Sequence, residues 1–205
     1  MAKLDRALED ISSIRSQLAA GTRFRGFGPA VLAATGCLAL VTALAQSLWM
    51  PPFAEDPITY FAGWVATAIA CVALIGVEMV ARTRRHHAGL ADAMAKNAAG
   101  QFLPAGVAGA AIGGVVLKFA PDSLWMLPGL WQVLIALGIF AALRSLPRSV
   151  ALAGAWYLIA GIGVLIMASS SHSLSPWMMG VPFALGQFLM AALLHLAAGE
   201  QDAEV

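Results

Sequence analysis

Apolar positions along this chain fall into six near-continuous blocks, at residues 28–48, 60–81, 102–119, 129–144, 149–168 and 179–198. They show neither the two-residue alternation of half-buried strands nor the one-sided stripe of a soluble helix. Crossing the hydrocarbon of a bilayer takes about 20 mostly apolar residues of helix, so each block is read as one transmembrane helix. A membrane β-barrel is excluded, because its strands would alternate polar with apolar positions. The fourth block is short, set between Pro128 and the pair Arg144 and Pro147, and is expected to borrow length from its flanks. The fold class predicted is all-α: a polytopic membrane protein of six helices, residues 26–199.

Residues 4–18 carry a different pattern. Leu4, Ala7, Leu8, Ile11, Ile14 and Leu18 recur at helical spacing, with charged and polar residues between them. Membrane-surface helices are usually rich in Lys and Arg on the polar face, whereas here Asp5, Glu9 and Asp10 balance Lys3, Arg6 and Arg15. The expectation is an amphipathic helix within a cytoplasmic segment 1–25 that packs on protein, either on its own loops or on a partner. Residues 82–101 form a cytoplasmic loop that opens on Arg82-Thr-Arg84-Arg85-His-His and has room for a shorter helix; residues 200–205 form an acidic tail.

Composition fits the bilayer as solvent. Hydrophobic residues are 60% of the 205 and charged residues 11%, against about 25% charged in ordinary soluble domains. The net charge of +1 gives no sign of direct nucleic-acid binding. All 12 Lys and Arg residues except Lys118 fall before the first block, between the second and third, or between the fourth and fifth. By the positive-inside rule both termini are cytoplasmic, and the first six residues lack the apolar core of a secretory signal. A bacterial-type inner membrane is the expected location. Cys37 and Cys71 lie inside apolar blocks and read as small packing residues.

The turns on the expected outer side repeat. They read Ser47-Leu-Trp49-Met50-Pro51, Ser123-Leu-Trp125-Met126-Leu-Pro128, and Ser173-Leu-Ser-Pro-Trp177-Met178. The approaches to the first two also match, Phe27-Gly-Pro29-Ala with Phe102-Leu-Pro104-Ala. Three helical hairpins (about 28–81, 102–144 and 149–198) related by a pseudo-threefold axis along the membrane normal are expected. Such an axis would gather Trp49, Trp125 and Trp177, with Met50, Met126 and Met178, at one mouth. An interfacial aromatic belt is the plainer account of these residues. A pocket for an apolar or flat ligand is the second, and a soft metal held by thioether and aromatic groups the third.

Within the blocks, Gln132 and Gln187 follow the prolines of their hairpins and are candidates to face the bundle axis, and His195 lies in the last block as an interhelical hydrogen bonder or a ligand. Glu78 with Arg82, and Lys118 with Asp122, have the spacing of helical ion pairs. Gly109 and Gly113 form a small-residue ridge for close helix contact. No phosphate loop, His-Glu-x-x-His or Gly-x-Ser-x-Gly pattern is present, so catalysis is not expected. No metal site is expected, and no residue pattern specifies a cofactor.

Leu8-Glu-Asp-Ile-Ser-Ser-Ile-Arg-Ser-Gln-Leu18, followed by Thr22-Arg-Phe-Arg-Gly-Phe-Gly28, resembles the start of a group of poorly characterised bacterial six-helix inner-membrane proteins. In that group an Asp-Ile-x-x-Ile-Arg helix precedes a Gly-rich approach to the first span, and the gene often stands beside that of a winged-helix regulator. The resemblance implies a membrane sensor or anchor that docks a transcription regulator. Leu8, Ile11, Arg15, Arg84 and Arg85 would form the docking surface, and an apolar ligand would bind in the bundle. Alternatives are a small-solute transporter or exporter, which usually needs a membrane-buried carboxylate or paired broken helices, and an accessory subunit of a larger membrane complex.

Overall fold

The computed structural model of the chain describes residues 28–50, 55–86, 91–143 and 146–202. They form six helices: α1 (Pro29–Trp49), α2 (Pro57–His86), α3 (Ala91–Phe119), α4 (Leu127–Ala142), α5 (Ala151–Ser169) and α6 (Trp177–Asp202). Tight three-residue-per-turn segments, Pro121–Met126 and Arg148–Val150, lead into α4 and α5. Among the described residues there is no strand, and six helical stretches are long and apolar enough to cross a bilayer. The expected helices 4–18 lie outside the described residues.

Prolines mark the starts. Pro29 and Pro57 open α1 and α2, and Pro128 sits in the first turn of α4, where the N–H that proline lacks would have no helical acceptor anyway. Asp56 caps α2: its Oδ1 accepts from the backbone N–H of Thr59 at 3.0 Å. At the far end of α5, His172 takes the left-handed conformation (φ 50°) and its N–H returns to the Ala168 carbonyl at 2.8 Å, so that a histidine occupies a helix-ending position usual for glycine.

Two boundaries differ from expectation. Helix α2 continues to His86 and α3 begins at Ala91, so most of the loop expected at 82–101 is helical. Ala, Arg, Met and Lys dominate that stretch and are strong helix formers, and a helix leaving the bilayer keeps its own backbone bonds. The fourth span is only 16 residues of α-helix, about 24 Å. The preceding segment Pro121–Met126 adds about 12 Å at the steeper rise of its tighter helix.

Helices adjacent in sequence pack together throughout, and α1 also packs on α6, so that contacts close upon themselves in chain order. The seams are unequal: α1 with α6 and α4 with α5 are extensive, while α2 with α3 is the sparsest. Glycine explains the difference. A Cβ on Gly180 of α6 would stand 2.5 Å from the Ala43 Cβ and 3.2 Å from the Ala39 carbonyl of α1. At Gly129 of α4 it would stand 2.7 Å from the Gly161 carbonyl of α5, and at Gly161 2.8 Å from the Gly129 carbonyl. Backbones this close gain dispersion contact that lipid cannot match. On α2 and α3, by contrast, Gly76, Gly106 and Gly114 meet nothing within 4 Å.

The buried interior has two clusters. One lies at the end of the bundle where the hairpin turns are, built from Ala39, Ala43, Tyr60, Phe61, Trp64, Leu124, Leu127, Ala168 and Leu174. The other lies toward the opposite end, around Ala136, Ile139, Leu146, Val150 and Tyr157.

Candidate functional site

Helix α6 contains Pro182 in its interior. A proline there has no N–H to give to the carbonyl four residues earlier, which is that of Met178. The Gln132 side chain of α4 supplies the donor: its Nε2 lies 3.3 Å from the Met178 oxygen. Other helices bond to the same stretch. The Tyr60 hydroxyl of α2 donates to the Ser175 carbonyl at 3.3 Å, Trp156 Nε1 of α5 to that of Pro182 at 2.9 Å, and the Tyr157 hydroxyl to that of Phe183 at 3.1 Å. The first turns of α6 are thus held by side-chain donors from three helices, a strong constraint where no water competes.

Beside this stretch lies the core at the hairpin end. Gln46 of α1 donates through Nε2 to the Tyr60 carbonyl at 2.9 Å. It reaches across Gly63, where a Cβ would stand 2.6 Å from that nitrogen. Tyr60 packs on Phe61 edge to face (5.2 Å between centroids), and Phe61 packs likewise on Trp131 of α4 at 5.7 Å. Trp131 lies on the Gly109–Gly113 ridge of α3 and its Nε1 donates to the Gly109 carbonyl at 3.0 Å. The ridge expected to admit a neighbouring helix therefore holds an indole. Three buried polar atoms in this core have no partner: Gln46 Oε1, Gln132 Oε1 and Trp64 Nε1.

The residues singled out in the sequence divide. Gln132 is buried (2% exposed) in this core, and Met178 packs against it. Gln187 is half-buried, with its Oε1 buried and unpartnered, and its Cβ borders Gly36 in the α1–α6 seam. Trp125 packs on the core's edge and stacks on His172 (4.8 Å, 11° between planes), while Met126 is half-buried. Trp49 is 80% exposed, Met50 and Trp177 are also exposed, and His195 is exposed on α6, so these four do not join the buried group. Arg15, Leu8 and Ile11 lie outside the described residues, as do the side chains of Arg84, Arg85 and Arg82, the last with its expected Glu78 pair. Lys118 places Nζ 5.2 Å from the Phe119 ring centroid instead of pairing with Asp122. Helix α3 ends at Phe119, so the helical spacing between the two is lost.

Gln46, Tyr60, Trp64 and Trp131 were not singled out from the sequence. A glutamine inside the first apolar block was a usable signal for Gln46, since an amide in a membrane span needs partners. Among the described residues no group of three His, Cys, Asp or Glu side chains could hold a metal ion. The chemistry present is that of amides, indoles, a phenol and thioethers, suited to hydrogen bonding and aromatic contact. Comparison with protein-family models, curated proteins and solved structures found no match.

Proposed function

We propose that this protein is a non-catalytic sensor or anchor of a bacterial inner membrane, with both termini cytoplasmic. It binds an apolar ligand within the bundle and docks a soluble cytoplasmic partner, a transcription regulator. One observation carries the reading: the hairpin-end core holds buried amide oxygens without partners beside aromatic rings packed edge to face. That combination favours retention of a mostly apolar molecule over chemistry upon it. Packing of the helices in chain order, with α1 on α6, supports the further reading of three hairpins about a pseudo-threefold axis. In this reading the basic residues before α1 and at the end of α2, including Arg15, Arg84 and Arg85, form with Leu8 and Ile11 the docking face. The ligand acts by favouring one packing of the bundle over another.

Crosslinked affinity purification from native membranes tests the docking, using the full chain beside a copy lacking residues 2–20. A soluble DNA-binding protein recovered only with the full chain is the expected result; recovery of no soluble protein from either copy overturns the docking. A second reading, a small-solute transporter, is favoured by Pro104 and Pro182 inside α3 and α6, since interrupted helices line many transport sites. It predicts solute flux in proteoliposomes of the purified protein.

A further inference from the structure

His172 holds the left-handed conformation (φ 50°) after α5, a region that costs free energy for a residue with a side chain. Glycine would end this helix without that cost, so what the histidine adds is its ring. The imidazole lies flat on the Trp125 indole, with 4.8 Å between centroids and 11° between planes. It thereby joins the end of α5 to the Pro121–Met126 segment that leads into α4. Leu124 beside the indole and Leu174 two residues beyond the imidazole are both buried in the hairpin-end core, on which Trp125 also packs. The stack fastens two turns over that core.

The imidazole is open to protons. His172 and the serines at 169, 170, 171 and 173 are exposed, whereas Trp125 is half-buried. Imidazole is the side chain that ordinarily changes charge near neutral pH. Neutral, it stacks on indole as one ring on another. Protonated, it is also drawn to the negative face of the indole, the best aromatic partner for a cation. The other titratable groups at this end are few. Asp122 stands on the Pro121–Met126 segment, exposed and three residues before Trp125. The Lys118 ammonium lies over the Phe119 ring, the Asp56 carboxylate accepts from Thr59, and the Tyr60 hydroxyl donates to the Ser175 carbonyl. Glu55 is exposed in the turn before α2, and residues 169–180 contain no titratable side chain besides His172.

We propose that His172 and Trp125 form a pH-dependent latch. Acidification on the side of the membrane that the hairpin turns face charges the imidazole and tightens its hold on the indole, keeping the α3–α4 and α5–α6 turns together over the core. A cation on an indole at an exposed site corresponds to about a two- to fivefold preference. One proton therefore biases the bundle toward the closed packing and does not switch it outright. The latch depends on neither the ligand nor the docked partner proposed above.

The test is a double-mutant cycle on the full chain in detergent, His172→Asn against Trp125→Leu, with unfolding followed at about pH 8 and about pH 5.5, either side of the ordinary imidazole range. Asparagine tolerates the left-handed conformation and does not titrate there. Protonation of Glu55 and Asp56, common to all four proteins, cancels in the cycle. The expected coupling, written as an equilibrium constant, is about two- to fivefold larger at the lower pH. Trp125→Phe keeps a ring with a weaker pull on cations; it replaces Trp125→Leu if the latter does not fold, and should show a smaller increase of the same sign. The increase should persist in an Asp122→Asn background. A coupling equal at both pH values, or larger at pH 8, overturns the latch and leaves a plain packing contact. An increase that vanishes with Asp122→Asn assigns the pH effect to that carboxylate and likewise overturns the proposal.

Discussion

Gln132 gives its amide N–H to the Met178 carbonyl at 3.3 Å, the carbonyl from which Pro182 withholds a helical donor. A side chain of one helix thus completes a turn of another that its own sequence cannot close. The two residues should therefore be coupled energetically. Gln132→Leu is expected to lower stability by about 1–3 kcal/mol, the cost of a stranded buried acceptor. In a Pro182→Ala background the helix regains its own N–H, and the same substitution should cost measurably less. Thermal unfolding of the four proteins of this cycle in detergent gives the coupling energy, with about 0.5–3 kcal/mol expected for groups in direct contact. A coupling of zero would show that the amide does not serve the broken turn.

The glycines should sort by what faces them. Gly129→Ala places a methyl group 2.7 Å from the Gly161 carbonyl and 2.6 Å from Leu165 Cγ. It is expected to cost about 1–3 kcal/mol, as overpacking does. Gly106→Ala and Gly114→Ala meet open space and should be neutral or stabilising by up to about 1 kcal/mol, the helix propensity difference. Urea or thermal midpoints of the three variants decide the matter.

Asp56 carries a pH dependence. Its hydrogen bonds from Thr59 hold the carboxyl below the usual aspartate range. A carboxyl more acidic in the folded than in the unfolded chain stabilises fully above its unfolded pKa, and the contribution fades as pH falls through the folded one. Unfolding midpoints measured from neutral to acid pH should therefore drop more for the wild type than for Asp56→Asn. The amide keeps an acceptor for the Thr59 N–H and does not titrate in that range.

The two cysteines should separate by access. Cys37 is exposed on α1, while Cys71 is buried with Sγ 4.0 Å from the Thr35 carbonyl. In detergent a small mercurial reagent should modify Cys37 first, and Cys71 only on denaturation. Equal rates on Cys37→Ser and Cys71→Ser proteins would contradict the placement of α2 against α1.

Helix number and approximate span were legible because apolar blocks of about 20 residues have one physical reading. Gln132 was legible too, since an amide among apolar residues must turn inward. The turn tryptophans drew attention by repetition. Yet the indoles that build the core are Trp64 and Trp131, which stand inside apolar blocks and outside the repeated turns. Nothing in a linear pattern distinguishes an indole facing lipid, as Trp49 does, from one facing a glycine ridge, because both faces of a membrane helix are apolar. The same ambiguity hid the contrast between Gly161, which meets a backbone, and Gly114, which meets open space.

The pairing of α1 with α6 has a consequence for biosynthesis. The Gly36–Ala39–Ala43 face of α1 finds its partners Gly180, Ala184 and Phe188 only on α6, the last made of the six helices described. Until then the first helix must wait in the bilayer with that face on lipid tails. Because α6 also receives the donors of Gln132, Trp156 and Tyr157, these three hydrogen bonds form only once it is made. Its arrival joins the first of the six helices to the sixth, so the bundle cannot close hairpin by hairpin.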